Sequence, residues 1–234
     1  MAGRLFLLPA WLAEETPPLE VLPPPVLATL RRLESFVVED AKSARRFLAA
    51  CGHPRPMREI AMTILDEHTP PEQVPALLSP LEAGDLGLLS EAGMPAVADP
   101  GAALVAAAHA RGIAVVPMVG PSSILLALAA SGLDGQRFRF VGYLPAQPEA
   151  RRAALAQLER QSRQLHETQV FIETPYRNEA MLGDVLQCCA PRTRLAVAAS
   201  LTGPDEWIRM DTIEGWRSRP QAVGRRPAIF ALLA

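Results

Sequence analysis

The sequence has few cysteines and little excess of charge of one sign. Its three cysteines include the adjacent pair Cys188 and Cys189, which cannot easily bridge each other, and no CxxC or paired Cys/His spacing is present. This pattern argues against a structural zinc site and favours a reducing compartment, so we expect a cytoplasmic protein without a metal. The formal net charge is -2, whereas a dedicated nucleic-acid binder is usually basic. The whole chain therefore gives no electrostatic signal for nucleic acid, although a local basic patch is compatible with this charge.

Long apolar runs are also missing. No run reaches the roughly 18–20 residues that a membrane-spanning helix needs, so we expect no membrane partner. The apolar segment LFLLPAWLA (5–13) is broken by Pro9 and followed by two glutamates, without a clean cleavage site. We interpret it as the first strand of the fold rather than as a signal peptide.

Several motifs that hold phosphate or supply a nucleophile are absent. There is no GxGxxG loop, no GxxxxGK[ST] loop and no GxSxG elbow, and no cysteine stands beside a plausible histidine. A nucleotide-like ligand would therefore not be held by its phosphates. An adenosine ligand without phosphates fits that absence.

The first half of the chain alternates between strand-like and helix-like runs. Such alternation is typical of a parallel sheet with helical crossovers. Asp99 is expected to cap a helix that has Pro100 at its first position and ends at Gly112. The spacing predicts strands over 3–9, 35–39, 59–65, 86–90 and 113–119, and further helices over 25–33, 43–51, 71–84 and 122–132.

The second half changes character, because three strand-like runs follow one another with little helix between them. Such crowding of strands suggests a mixed sheet with antiparallel members. We therefore predict an α/β protein of two lobes, 1–118 with a mostly parallel sheet and 119–234 with a mixed sheet. The predicted strands of the second lobe cover 137–145, 168–175, 194–200, 206–213 and 228–234, and its predicted helices cover 151–165 and 178–190.

Four loops at strand ends carry the residues that could do chemistry. They are SEAGMP (90–95), VGPSS (119–123), ETPYR (173–177) and SLTGPDE (200–206). In open α/β sheets, ligands bind beyond the carboxyl ends of the strands. Each loop also has a purely structural interpretation: Ser122 as a helix cap, Gly93 as a tight turn, and Glu173 with Arg177 as a surface ion pair.

Taken in order, five segments resemble one family. SEAGMPAVADPG, VPMVGPSS, FRFVGYLP, VFIETPYRN and AASLTGPDEW are similar to segments of the tetrapyrrole methylase superfamily of S-adenosylmethionine-dependent methyltransferases. EDAKSARRFL also resembles a segment of the group that methylates ribosomal RNA of the small subunit at the cytidine 2′-oxygen. The chain departs from that group after its first strand, where LLPAWLAEETPP has no glycine, and at Glu91, Met94 and Tyr176.

The resemblance implies S-adenosylmethionine as cofactor, a cleft between the two lobes as its site, and a homodimer. The main chain of the SEAGMP loop and two serine hydroxyls would orient this methyl donor, while apolar residues flank it. Glu91 and Glu173 are the candidate catalytic carboxylates, and Lys42 and Arg177 the candidate substrate-binding cations. The implied cofactor-binding residues are Leu89, Ser90, Glu91, Ala92, Gly93, Met94, Pro121, Ser122, Ser123, Ile172, Leu201, Pro227 and Ala228.

Three functions stay open at this point. A methyltransferase that modifies the ribose 2′-oxygen of ribosomal RNA would need a basic rim around its cleft. A small-molecule or tetrapyrrole methyltransferase would need a wide and less charged trough. A protein that binds the donor without catalysis is compatible with the missing glycine loop. The candidate basic rim consists of Lys42, Arg45, Arg46, Arg151 and Arg152.

Overall fold

A computed structural model describes residues 3–234, so residues 1 and 2 of the expected first lobe lie outside the described residues. The chain divides into two compact units, one ending at Ser122 and the other beginning at Ser123. Across residues 3–234, no helix combines the length and the apolar character needed to cross a membrane.

The N-terminal unit is built on a parallel sheet of five strands, as the alternation predicts. The strand order is β3-β2-β4-β1-β5. In register, Leu8 at the end of β1 and Val38 at the end of β2 both lie beside Leu89 of β4. The carboxyl ends of the three central strands therefore meet at one edge. The strands are β1 Leu5–Leu8, β2 Ser35–Val38, β3 Ala61–Ile64, β4 Leu86–Leu89 and β5 Val115–Pro117.

Both faces of this sheet are covered, which explains why β1 is apolar at every position. Phe6 and Leu8 pack into one buried cluster, whereas Leu5 belongs to the cluster on the other face. Successive side chains of a strand point to opposite faces, so a strand that is buried on both sides has no place for alternating polar residues. The helices of this unit are α1 Pro18–Val21, α2 Pro24–Arg32, α3 Ala41–Ala50 and α4 Ala102–Ala110.

One local prediction in this unit is wrong, and another is met by a different kind of helix. The helix predicted over 71–84 is a 3-10 helix, Pro71–Glu82, which contains Pro75 and Pro80, and these prolines lack the N–H that an α-helix needs. Asp99 does not cap α4. That helix follows Gly101, whose φ of 138° is a conformation that residues with side chains rarely adopt.

The C-terminal unit contains the predicted mixed sheet, with strand order β6-β7-β10-β8-β9. The β6–β7 pair is parallel, while β10 runs antiparallel to both of its neighbours and β9 runs antiparallel to β8. The strands are β6 Phe138–Tyr143, β7 Thr168–Glu173, β8 Arg194–Ala199, β9 Trp207–Thr212 and β10 Ala228–Leu233. The helices are α5 Ser123–Ala130, α6 Pro148–Leu165, α7 Asn178–Cys188 and α8 Ile213–Ser218.

Aromatic side chains fill the core of the C-terminal unit. Phe171 and Phe230 stack across the central strands with their ring centroids 5.4 Å apart. The fully buried Trp216, on the short helix α8 that the sequence analysis did not predict, donates from Nε1 to the Leu195 carbonyl at 2.9 Å. This hydrogen bond satisfies the one polar group of the indole, as burial requires.

Candidate functional site at the carboxyl edge of the first sheet

The topology of the first sheet marks one point on its carboxyl edge. The chain leaves β2 toward the outer strand β3, whereas it leaves the neighbouring β4 in the opposite direction, past β1 to β5. Adjacent strands whose connections diverge in this way leave a crevice beyond their carboxyl ends, where α/β proteins bind ligands. Glu39 directly follows β2, and Ser90 and Glu91 directly follow β4.

Three carboxylates gather at this crevice. The Glu91 N–H donates to Glu39 Oε2 at 3.5 Å, a long bond that joins the two loops. Burial, followed by the charge of Glu39, raises the pKa of Asp99 to about 6, against the opposing effect of the Ser90 hydroxyl. Burial also raises the pKa of Glu39, and the negative charge of Glu91 adds to that rise. Like charges crowded in this way favour a cationic partner and disfavour an anionic one.

The SEAGMP loop is fixed to the segment that follows β1. Ala10 N donates to Gly93 O at 2.8 Å, and Gly93 N donates to Trp11 O at 3.4 Å. Gly93 has a φ of 72°, and a Cβ at this position would lie 3.2 Å from Leu12 Cδ2 and 3.6 Å from Pro121 O. The positive φ strains any residue with a side chain, and a Cβ would also require Leu12 to shift by a few tenths of an ångström. Gly93 therefore allows the tight turn considered from the sequence and also a close approach to Leu12.

The segment after β1 therefore supports the SEAGMP loop, although it has no glycine. Trp11 is buried and packs edge-on against Phe47 of α3, with ring centroids 5.3 Å apart. Pro9 lies against Gly120, where a Cβ would come within 2.2 Å of Pro9 Cγ. The loops that follow β1, β4 and β5 are therefore packed together through Pro9, Gly93, Gly120 and Pro121.

The rest of the SEAGMPAVADPG segment is strained. Ala96 and Ala98 both have a φ of 64°, which costs a residue with a side chain on the order of 1 kcal/mol or more. Glu91 and Ala92 are exposed, while Met94 is partly buried. Backbone strain of this kind concentrates at sites that bind ligands, because surrounding structure must hold it in place.

In the C-terminal unit, the predicted apolar residues lie at one edge of the second sheet. Ala228, the first residue of β10, is in register with Glu173 at the end of β7 and with Ala199 at the end of β8. Ser200 N donates to Pro227 O at 2.9 Å, which joins the SLTGPDE loop to the start of β10. The edge also includes Ile172, which is partly buried, and Leu201, which is buried. Their role toward a methyl donor stays a prediction.

Glu173 and Arg177 form a shielded ion pair rather than a surface one. The Glu173 side chain is fully buried, and its Oε1 accepts from Arg177 Nε at 2.8 Å and from the Thr174 N–H at 2.6 Å. The other carboxylate oxygen, Oε2, is buried and accepts no hydrogen bond within residues 3–234. The arrangement holds the ETPYR turn in place and leaves one acceptor oxygen unused.

Most of the candidate basic rim is engaged elsewhere. Arg151 and Arg152 both bind Asp184 of α7, with Nε–carboxylate distances of 2.7 and 2.8 Å. Arg46 forms an ion pair with Glu14. Lys42 is exposed near the start of α3, as is Arg45 one turn later. Three of the five rim residues are thus paired with carboxylates of their own unit.

Sequence reasoning missed Glu39 and the true position of Asp99. Glu39 carried a usable signal, because it directly follows a buried strand that lies beside β4 in a parallel sheet. Asp99 carried a misleading signal, since Asp-Pro before an alanine-rich run is typical of a helix start. No group of three or more His, Cys, Asp or Glu within the described part of the chain is arranged to hold a metal ion.

Comparison with known families decides where the chain belongs. The pattern of the Tetrapyrrole (Corrin/Porphyrin) Methylases family matches residues 19–215. The chain belongs to the tetrapyrrole methylase family. This confirms the resemblance that the ordered loops indicate, and the lobed α/β fold with a parallel and a mixed sheet agrees with it.

Relatives within the tetrapyrrole methylases include proteins named ribosomal RNA small subunit methyltransferase I. The one from Xylella fastidiosa is 38% identical over 74% of this chain and 60% of its own length. The one from Pseudomonas aeruginosa is 32% identical over 89% of this chain and 70% of its own length. The chain therefore spans about 60–70% of the length of these two relatives.

A solved structure has the same fold. Uroporphyrin-III C-methyltransferase from Thermus thermophilus, complexed with S-adenosyl homocysteine, superposes with a TM-score of 0.58 at 19% identity. The match covers 99% of this chain and 97% of that one. At this identity the likeness establishes the fold.

Proposed function

We propose that the chain is an S-adenosylmethionine-dependent methyltransferase whose acceptor is ribosomal RNA. The observation that carries the proposal is the acidic crevice of Glu39, Glu91 and Asp99 at the diverging strands of a tetrapyrrole methylase fold. The names of the relatives at 32–38% identity support RNA as the acceptor and the cytoplasm as the place of action. Similarity to the tetrapyrrole enzyme at 19% identity supports the fold only.

The charges of the crevice fit this methyl donor. S-adenosylmethionine carries a sulfonium and an ammonium against one carboxylate, so it is a net cation, whereas ATP and NAD are anions. A cation offsets the mutual repulsion of the three carboxylates, while phosphates would add to it. We propose that the main chain of Ser90–Met94 and the segment Pro121–Ser123 hold the donor, with Leu89 contributing apolar contact.

When bound, S-adenosylmethionine supplies a methyl group on a positively charged sulfur that leaves as a neutral thioether. An RNA hydroxyl that becomes a methyl ether must lose its proton, and a carboxylate near the oxygen can accept it. Glu91 is one candidate because its side chain is exposed and accepts no hydrogen bond within residues 3–234. Glu173 is the weaker candidate, because its unused Oε2 is fully buried in the structure. Lys42 and Arg177 are the proposed phosphate contacts.

The test is transfer of a labelled methyl group. The protein is incubated with labelled donor and, in parallel, with small ribosomal subunits, deproteinised small-subunit RNA and a uroporphyrinogen. Label in RNA that survives base hydrolysis as a 2′-O-methyl nucleotide supports the proposal. Label in the tetrapyrrole alone would replace RNA by a small-molecule acceptor. Donor binding without any transfer would mean that the chain binds the donor without catalysis.

We also propose that the chain forms a homodimer. Two side chains of the apolar helix α5 support this, because Leu125 is 56% exposed and Leu126 is 38% exposed. A second copy of the chain that packs on α5 would cover both side chains. Light scattering at micromolar concentration should give twice the 25.2 kDa chain mass. A single species of 25.2 kDa would contradict the dimer.

A further inference from the structure

We propose that a surface of the C-terminal unit, formed by the exposed side chains of Tyr143, Tyr176 and Arg225 and by the shielded Arg177, binds single-stranded RNA by stacking bases on the two tyrosines. We call it the tyrosine edge. The inference rests on the proposed function for the identity of the acceptor. It assigns contacts with the RNA to Tyr143, Tyr176 and Arg225, which are neither in the candidate basic rim nor among the proposed phosphate contacts.

The two tyrosines are the whole tyrosine content of the chain, and both are highly exposed. Tyr143 is 60% exposed and Tyr176 is 73% exposed. Exposed tyrosine rings present flat aromatic faces on which a partner with flat rings can stack. Unpaired bases offer flat rings of matching size, and proteins that bind single-stranded RNA stack them on aromatic side chains.

Both tyrosines lie at the same end of the second sheet, where the parallel strands β6 and β7 finish. Tyr143 ends β6 and is in register with Ile172 of the parallel neighbour β7. Tyr176 follows Ile172 by four residues, in the turn just beyond β7. Strand spacing and chain geometry therefore limit the distance between their Cα atoms to at most roughly 19 Å. A few nucleotides of an extended strand span such a distance.

Arg177 follows Tyr176 in the chain, and Arg225 belongs to a segment that is hydrogen-bonded to Asn178. Arg177 is held by the buried Glu173 carboxylate, which restricts its guanidinium to one place. Asn178 is fully buried, and its Nδ2 donates to Gly224 O at 2.9 Å and to Arg226 O at 2.7 Å. The backbone around Arg225 is therefore fixed beside the start of α7. Arg225 itself is exposed and makes no hydrogen bond or ion pair within residues 3–234.

The tyrosine edge carries only a small positive charge, so base stacking should contribute more to RNA binding than phosphate contacts. Glu173 neutralises one arginine, and Glu179 accepts from the Gly224 N–H at 2.7 Å. The excess of positive charge is small, so few phosphates are neutralised and the binding should depend only modestly on salt. The bases of duplex RNA are already stacked and paired, so they cannot stack on the two tyrosine rings, and we expect weaker binding of a duplex.

The experiment compares RNA affinities of the full chain and four variants by fluorescence anisotropy. The probes are a single-stranded oligoribonucleotide of roughly ten nucleotides and the same sequence in a duplex. The variants are Tyr143→Ala, Tyr176→Ala, Tyr176→Phe and Arg225→Ala. Phe138→Ala is the matched control, because Phe138 is a partly exposed aromatic residue (39%) at the opposite end of β6.

We expect each tyrosine-to-alanine change to weaken single-strand binding about tenfold, which corresponds to about 1.4 kcal/mol. Tyr176→Phe should keep the affinity, because a phenyl ring still stacks. Arg225→Ala should weaken binding less and reduce its salt dependence. Phe138→Ala should change nothing, and melting temperatures and donor affinity should stay the same in all variants.

Several results would overturn the inference. They are absence of single-strand binding by the unmodified chain, equal binding of the duplex, and an alanine variant of either tyrosine that binds normally. A light-scattering shift from dimer to monomer in Tyr176→Ala, with RNA binding retained, would assign the surface to a second copy of the chain. Because binding is measured without methyl transfer, failure of the proposed activity would be seen separately, in the labelling assay.

Discussion

Replacing Asp99 with asparagine should stabilise the protein at neutral pH and leave it unchanged in acid. Burial, with the charge of Glu39 next in importance, raises the pKa of Asp99 to about 6, so ionisation of this carboxyl is unfavourable in the folded chain. Asparagine has nearly the same shape and does not ionise. The variant therefore removes the cost of a charge and keeps the packing.

The size of the effect follows from the pKa difference. A rise from 3.8 to about 6 is worth roughly 3 kcal/mol in full, and solvent screening of this partly exposed side chain reduces the expected effect to about 1–2 kcal/mol. Since the folded pKa lies above the unfolded one, the folded state binds more protons between these two values. The stability that the protonated carboxyl contributes is complete below about pH 4 and is lost as the pH rises through 6.

Urea unfolding of the two proteins at a series of pH values measures this effect directly. The free energy of unfolding of Asp99→Asn relative to the unmodified chain should be near zero at about pH 4 and should rise to about 1–2 kcal/mol at about pH 7.5. Glu72→Gln, at an exposed carboxylate of the same unit, should show no such trend. A constant difference, or an asparagine variant that is less stable at neutral pH, would refute the reasoning.

Three further changes test other parts of the account. Glu91→Gln should leave the melting temperature within about 1 °C and lower methyl transfer about tenfold or more; a lower melting temperature with a normal rate would make Glu91 architectural. Gly93→Ala should lower the free energy of unfolding by about 1–2 kcal/mol and weaken donor binding. Gly112→Ala is the control, because Gly112 has a similar φ of 66° but no atom lies within 4 Å of an added Cβ, so this change should lower stability alone. Glu173→Gln should cost about 2–3 kcal/mol, because it leaves Arg177 partly shielded without its anion; unchanged stability in urea would contradict this role.

The regular elements were predictable because their signals are local. The unbroken apolar run Leu5–Leu8 indicates a strand buried on both sides, and the change to closely spaced strands after 194 indicates the mixed sheet. The 3-10 conformation of Pro71–Glu82 was less predictable, since apolar spacing reports which side chains are buried and not which hydrogen bonds the prolines remove.

The candidate site was only partly predictable, because its chemistry depends on contacts between distant segments. Glu91 stood out from its place after a buried strand, but its bond to Glu39 joins residues 52 positions apart. Asp99 satisfied a local capping rule that the conformation of Gly101 overrides. The backbone pairing of Ala10 with Gly93 has no sequence signature, since any residue other than proline can donate such a bond.

The measurement that tests the central claim most directly is calorimetric titration of the chain with S-adenosylmethionine at about pH 6, repeated in buffers of different ionisation enthalpy. Bound beside the carboxylates, a cation should lower the pKa of Asp99, so we predict binding accompanied by release of a proton, with weaker binding at lower pH. ATP and NAD should give no heat. Binding of ATP or NAD without binding of S-adenosylmethionine, or donor binding with proton uptake, would contradict a cationic donor at the acidic edge of the first sheet.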